Sequence, residues 1–367
     1  MPALLNSTPR QDGFRMPGEF ERHDGCWMLW PERPDTHRNG AKPAQKAYAD
    51  VASAISQFER VTMAASPAQF ANARSRLPER IRVVEINSND AWMRDVGPLF
   101  VNNGETLRAV DKGFNAWGGL NGGLYFPWDQ DELVARKVAE MEWVDRYKLP
   151  MVLEGGSIVV DGEGTLITTR QCLLHPNRNP TLSQAEIETY LADYLNLEKI
   201  IWIEQGILFD ETDGHVDDLC CFIRPGVLAI SWTEDKTDPQ YDVSRQIYDF
   251  LMSSSDARGR RLQVHKIHQP EPILISAEES AGVDQHEGSY PRLAGMRIGA
   301  SYVNFYLANG GAVVPQFDDP FDRPALQTLQ ELMPDRKVVG IPGAREIQLG
   351  GGNIHCITQQ QPCAKSR

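Results

Sequence analysis

No uninterrupted apolar run in the chain approaches the roughly 18 residues that a helical membrane span requires, so a membrane role is not expected. Positive charge is in short supply. Thirty-seven Lys and Arg face 50 Asp and Glu, a formal net charge of -13 that repels nucleic acid and anionic membranes but draws in cationic ligands. Cysteine is sparse and irregular: six are spread over 367 residues, and only Cys220 and Cys221 are neighbours. Adjacent residues of a strand face opposite ways, so no disulfide framework is expected and the thiols are read as reduced. The sequence contains neither HExxH nor a paired CxxC, and the reading carries no metal and no organic cofactor. The first residues, MPALLNSTPRQDG, show no basic region followed by an apolar run, which makes the cytoplasm the expected location. Low-complexity segments are absent too.

What is present is ordinary globular composition, with 41% hydrophobic and 24% charged residues, organised as a repeat. A strand-turn-strand pattern bending at Gly or Asn runs over Val96 to Val110 (Asn103-Gly104), Ser157 to Thr169 (Asp161-Gly162) and His215 to Ser231 (Pro225-Gly226). It returns over Ser301 to Pro315 (Asn309-Gly310-Gly311) and, truncated, over Gly350 to Gln360. Helix-like stretches followed by short apolar strands lie between: Lys42 to Phe58 before Val61 to Ala64, Gln130 to Tyr147 before Met151 to Leu153, and Ser183 to Leu195 before Ile200 to Ile203. Tyr241 to Ser253 before Leu262 to Ile267, and Arg323 to Met333 before Val338 to Ile341, complete the set. Ser183 and Glu186 fit a capping box. A unit of roughly 60 residues, used about five times, predicts one closed radial α/β domain. Residues 14–367 are read as that single catalytic domain behind an N-terminal tail of residues 1–13, and Gln359 to Arg367 also reads as dispensable.

Chemistry-bearing residues cluster in four segments at strand ends, each in a different copy of the unit: Asn89 to Asp95, Glu154 to Ser157, Asp213 to Asp218 and Gly350 to Cys356. Cys356 follows three consecutive glycines, a backbone that admits close approach, although a single cysteine in a strand is more often a small buried hydrophobe. Cys26, Cys172, Cys220, Cys221 and Cys363 lack such a setting and are read as packing or surface residues. His215 and Asp217, two apart, share a face of an extended segment, which suits proton transfer or paired ligand contacts. A solvated turn and a metal-binding His-x-Asp are the competing readings. Asp95 lies three residues after Trp92, an anion near an aromatic wall, as a planar guanidinium requires. Alone, Asp95 could pair with Arg94, and Glu154 could be a turn residue before Gly155-Gly156. Buried together, Asp95, Asp217 and Glu154 would repel one another unless a cation lay between them.

Taken in order, several segments resemble the agmatine deiminases, within the guanidino-group-modifying superfamily that includes arginine and peptidylarginine deiminases. They are Met16 to Glu21, Gly25 to Pro31, Asn89 to Pro98, Phe114 to Gly119, Glu154 to Gly156, Gly214 to Asp217 and Gly350 to Cys356. The resemblance implies a five-bladed pseudo-symmetric α/β propeller of ββαβ units. It also implies Cys356 as nucleophile, His215 as general acid and base, Asp95 and Asp217 as the guanidinium clamp, and Glu154 as the group orienting His215 or the guanidinium. Trp92 lines the pocket with Gly351 and Gly352. The expected substrate is a small guanidinium cation, the expected assembly a homodimer, and the expected role polyamine supply through N-carbamoylputrescine. Rival readings are a deiminase of free or peptidyl arginine, a guanidinium-binding protein without catalysis, and a metallohydrolase.

Overall fold

A computed structural model describes residues 2–364. The chain opens with β1 (Leu4–Leu5), β2 (His23–Leu29), β3 (Val61–Ala65) and β4 (Arg82–Glu85). It continues through β5 (Leu99–Asn102), β6 (Leu107–Gly113), β7 (Arg146–Val152), β8 (Ile158–Val160), β9 (Thr165–Thr169) and β10 (Lys199–Ile203). Then come β11 (Cys220–Arg224), β12 (Val227–Trp232), β13 (Gln263–His268) and a small pair, β14 (Ile273–Leu274) and β15 (Arg297–Ile298). The last strands are β16 (Tyr306–Ala308), β17 (Gly311–Pro315), β18 (Lys337–Ile341) and β19 (Thr358–Pro362).

This is a mixed α/β fold whose six sheets combine parallel and antiparallel strands, and no sheet among the described residues closes on itself. Five of the six share one connectivity. An antiparallel pair is joined by a crossover helix to a third, parallel strand: β5-β6-β7, β8-β9-β10, β11-β12-β13, β16-β17-β18 and β19-β2-β3. A tight turn suffices for the first pairing, whereas the parallel one needs a long crossover. The turns predicted at Asn103-Gly104 and Pro225-Gly226 hold because Gly104 and Gly226 take φ of +85° and +75°. The crossover helix Lys42–Ile55 buries Ala44, Ala47, Tyr48, Val51 and Ile55, the stripe that faces its sheet. Ser183 and Glu186 form the predicted capping box on the helix Gln184–Leu195. Cys220 packs into one apolar cluster and Cys221 against another, as opposite faces of a strand require, and Cys26, Cys172, Cys220, Cys221 and Cys356 form no disulfide.

Three sequence expectations are corrected. The stretch 130–147 is not one helix: a 3-10 turn at Asp131–Leu133 leads into a helix of Val134–Met141, and β7 already begins at Arg146. The N-terminal tail is partly structural, since Leu4 and Leu5 pair in parallel with Arg146 and Tyr147 of β7. Gly350 to Gln360 is not a hairpin, and its end, read as part of a tail, is a buried strand. The segment before β19 is a turn, and β19 pairs antiparallel with β2, so the two ends of the chain complete the fifth unit. Its sequence, Thr-Gln-Gln-Gln-Pro, reads as a polar tail yet is wholly buried, with partners for the Gln360 and Gln361 amide oxygens but none for Gln359 Oε1. Gln361 accepts from Trp27 Nε1 at 3.0 Å and donates to Glu142 at 3.0 Å, while Gln360 accepts from Arg94 at 2.5 Å. Of the segments read as tails, Met1 and residues 365–367 lie outside the described residues.

Deleting residues 358–364 strips β2 of an edge partner and leaves the Trp27 and Arg94 donors buried without acceptors. The truncated chain is expected to lose its cooperative thermal transition by circular dichroism. A melt within a few degrees of the full chain would contradict this account of the closure.

Candidate active site

The four segments singled out in the sequence converge. Asp95 lies in the short helix Met93–Val96 and is 2% exposed. Its Oδ1 accepts the Gly156 N–H at 2.8 Å and its Oδ2 accepts Trp117 Nε1 at 3.0 Å. It forms no pair with Arg94, whose guanidinium turns away to the His355 carbonyl, Gln360 and Glu19. The buried Lys112 ammonium donates to the Asp95 backbone carbonyl, so it backs this acid without quenching its carboxylate. Burial pushes the Asp95 carboxyl above its ordinary range, with the Asp217 and Glu154 charges adding to the rise and His215 opposing it.

His215 and Asp217 meet by a route other than strand alternation: Val216–Asp218 forms a 3-10 turn, and His215 is its N-terminal cap. His215 Nδ1 stands 4.0 Å from Asp95 Oδ2 and 4.0 Å from Asp217 Oδ1. The segment is a buried turn, not a solvated one, with the His215 N–H bonded to Asp210 at 2.9 Å. Burial works against the imidazolium, but Asp95, the Cys172 sulfur and Asp217 outweigh it and hold His215 well above its ordinary range. On the far side of the site, donor atoms of Glu154, Cys172 and His215 lie within 4.8 Å of one another. Cys172 therefore borders the site and is not merely a packing residue. Glu154 does precede a turn, as the N-terminal cap of the 3-10 segment Gly155–Ser157, but its side chain is fully buried and paired with Arg178 Nε at 2.7 Å. Arg178 also donates to Asp213 at 2.9 Å and to the Thr212 carbonyl at 2.8 Å, and these charges drive it above its already high range against the pull of burial.

Gly156 is the point at which three functional groups touch one backbone position. A Cβ there would stand 2.6 Å from His215 Nδ1, 2.9 Å from Asp217 Oδ2 and 3.1 Å from Asp95 Oδ1. Gly352 plays the same part for the thiol, since its Cβ would fall 2.9 Å from Cys356 Sγ and 2.8 Å from the Trp92 ring.

Cys356 sits in the turn before β19, outside any strand, with Sγ 3.1 Å from Asn304 Nδ2 and 3.6 Å from Asp217 Oδ2. Burial raises the thiol well above its ordinary range, and the charges of Asp217, Asp218 and Asp95 raise it further. These surroundings favour the thiol over the thiolate. It lies at a cleft of about 390 Å³ lined also by Trp92, Asp95, Trp117, Tyr125, Tyr290 and Gly351, and by the acids Asp35, Asp90 and Glu211. Trp92 meets Trp117 edge to face at 6.4 Å and is held by Asp90 at 3.0 Å. Arg292 is the one Lys or Arg among the described residues lining the cleft, and it is bound to Glu211 at 2.8 Å and 3.1 Å. His215, Asp217, Glu154 and Gly352 stand behind this lining rather than in it.

Sequence reasoning missed Arg178, Asn304, His355, Glu19, Glu211 and Arg292, which hold the predicted groups or the cleft wall. None had a spacing signal except His355, which adjoins Cys356.

Buried acids, an imidazole and a cysteine at the foot of an acidic aromatic cleft define a thiol site built for a cation. Comparison with known proteins places it: the chain belongs to the Porphyromonas-type peptidyl-arginine deiminase family, whose sequence profile matches residues 15–362. It is 58% identical to the agmatine deiminase of Pseudomonas aeruginosa (strain LESB58), covering 98% of this chain and 98% of that one. It is 56% identical to the agmatine deiminase of Ectopseudomonas mendocina (strain ymp), again over 98% of each. Its structure is similar to that of the agmatine deiminase of Enterococcus faecalis, with a TM-score of 0.96 and 51% identity over 99% of this chain and 100% of that one. An agmatine deiminase of C. jejuni with substrate bound matches with a TM-score of 0.80 and 26% identity over 96% and 97% of the two chains.

As the one cysteine among the described residues lining the cleft, Cys356 is expected to be the first thiol alkylated there by iodoacetamide. Its rate should still climb at about pH 9, because a raised thiol carries little thiolate at neutrality. Asp217→Asn removes the nearest negative charge and should move that climb to lower pH. Peptide mapping by mass spectrometry reads both, and a plateau already reached near pH 7 would contradict a thiol held protonated.

Proposed function

We propose that this chain is an agmatine deiminase, hydrolysing agmatine to N-carbamoylputrescine and ammonia through a covalent amidino-cysteine. The observation that carries the reading is the crowding of Asp95 and Asp217 around a cleft thiol, with Asp217 Oδ1 lacking any hydrogen-bond partner. Carboxylates so placed suit a planar cation.

Agmatine's guanidinium settles against Asp95 and Asp217, with Trp92 as wall and its carbon toward Cys356. The incoming positive charge reverses the field that keeps the thiol protonated, and the thiol then gives its proton to solvent, so the thiolate forms only when substrate is present. Sulfur attacks the guanidinium carbon to give a neutral tetrahedral adduct. His215, held as imidazolium by the surrounding acids, gives its proton to one amino group. The C–N bond breaks, ammonia leaves, and an S-alkylthiouronium cation remains on Cys356. The neutral imidazole then takes a proton from a water as that water attacks the same carbon. Collapse breaks the C–S bond as the new hydroxyl passes its proton to the departing sulfur, which releases the ureido product and restores the thiol. Glu154, fastened by Arg178, orients His215 from behind.

Agmatine carries an amine where arginine carries a carboxylate as well. Arg292 and Glu211 occupy each other at the cleft and Asp35 pairs with Arg33, but acids outnumber the one cation in the lining, so an amine is favoured and a carboxylate has no uncommitted cation to meet. This favours agmatine over free arginine.

The recurring connectivity, with the last strand completing the first unit, supports a radial reading in which the five units are blades of a pseudo-symmetric propeller. Residues 14–367 then act as one catalytic domain behind the segment 1–13. The same reading places a homodimer in the cytoplasm, supplying N-carbamoylputrescine for putrescine formation. No helix among the described residues is long and apolar enough to cross a membrane.

Cys356→Ser is expected to reduce ammonia release from agmatine by at least about a thousandfold with circular dichroism unchanged, since no other group supplies the attacking pair. His215→Ala should lose turnover comparably and, in quenched samples, carry an amidino adduct on Cys356 by intact mass if ammonia can leave unassisted. Wild-type turnover of agmatine should exceed that of arginine and survive exhaustive chelation. Ammonia release by Cys356→Ser at the wild-type rate, or its loss on chelation alone, would overturn the thiol mechanism.

A further inference from the structure

His355 has no part in the chemistry above, yet it makes two short contacts behind the site. Its Nδ1 lies 2.7 Å from Asp217 Oδ2 and its Nε2 lies 2.7 Å from Glu19 Oε2. Ionised carboxylates only accept, so both ring nitrogens must carry protons and the ring is an imidazolium. Resting on the function proposed above, we infer that His355, braced by Glu19, is a positioning residue that fixes the Asp217 carboxylate for the guanidinium.

Three observations support the assignment. His355 occupies Oδ2 of Asp217 and leaves Oδ1, the oxygen 4.0 Å from His215 Nδ1, without a partner and available to substrate. Glu19 is itself fixed, by Arg94 at 3.1 Å and the Leu307 N–H at 2.9 Å. His355, Glu19 and Arg94 also line a second cavity, of about 460 Å³, that shares no lining residue with the substrate cleft. The brace thus stands clear of the substrate and is reachable from another side.

The charges facing His355 are Asp217 from the 3-10 turn, Glu19 from the segment before β2, and Arg94 from the helix Met93–Val96. Cys221 of β11 also lines the second cavity, and burial keeps that thiol neutral. Burial and Arg94 both disfavour the imidazolium, but Glu19 and Asp217 prevail and His355 lies above its ordinary range. Glu19 remains ionised to about 2, where His355 and Arg94 outweigh its burial. Removing the Glu19 charge lowers the His355 value, so the brace should fail at a lower pH.

The test uses the full-length chain. His355→Ala should raise KM for agmatine about tenfold or more with a smaller change in kcat, and added imidazole, entering through the second cavity, should recover part of that loss. His355→Asn keeps a donor toward Asp217 without the charge and should fall between. Glu19→Gln should shift the alkaline rise of KM to lower pH. The same variants on a Cys356→Ser background, titrated with agmatine by calorimetry, read the brace as Kd without any turnover. Wild type binding agmatine without releasing ammonia would thus refute the parent reading and leave this measurement decisive. Folded His355→Ala and His355→Asn with wild-type KM and Kd would overturn the assignment. If both fail to fold, a Glu19→Gln profile that superimposes on wild type would overturn it.

Discussion

Buried negative charge without enough positive charge is the constraint on which the site depends. Asp95, Asp217, Asp218 and Glu154 are each no more than 4% exposed and lie in one neighbourhood. Removing a carboxylate from water is costly, and partners offset that cost only where they reach it. Arg178 answers Glu154, and His355 answers one oxygen of Asp217. Lys112 reaches only the Asp95 carbonyl, and the Asp95 carboxylate makes do with neutral N–H donors. The remainder faces Cys356. The same excess raises the Cys356 thiol above its ordinary range, and in the proposed mechanism a bound guanidinium relieves it, so that activation and recognition would have one electrostatic cause.

The fold serves this arrangement by bringing distant chain segments to one place under tight steric limits. Cys356 is positioned by β19, which is held by β2 near the other end of the chain. Gly352 lets the thiol and Trp92 share a backbone position, while Gly156 does so for His215, Asp217 and Asp95. A methyl group at either glycine would occupy space that functional atoms already fill. At the closure, Trp27, Glu142 and Arg94 bond the Gln360 and Gln361 amides of the buried strand, while Gln359 Oε1 has no partner.

The reacting groups were legible because each stands in a short segment of unusual composition at a strand end. Cys356 after three glycines, His215 beside Asp217, and Asp95 after Trp92 all announce themselves through types and spacings that chemistry restricts. Their supports were not. Arg178 lies 24 residues from Glu154, Asn304 lies 52 from Cys356, and Glu19 lies 336 from His355, so no local pattern links them. Cys172 looked like packing because its contact with His215 crosses between segments of the chain. Even a correct pairing had the wrong local cause, since His215 and Asp217 approach through a 3-10 turn rather than strand alternation.

By itself the sequence determined the repeat, the hairpins at Asn103-Gly104 and Pro225-Gly226, the capped helix after Ser183 and the four segments that carry the candidate site residues. Each rests on local backbone preference or on the chemistry of a side chain. Only the tertiary structure decided that the polar C-terminal stretch is a core strand, that Glu154 belongs to Arg178, and that His355 stands between Asp217 and Glu19. Those outcomes depend on which groups meet when apolar faces bury and dielectric screening falls, and sequence separation carries no information about that.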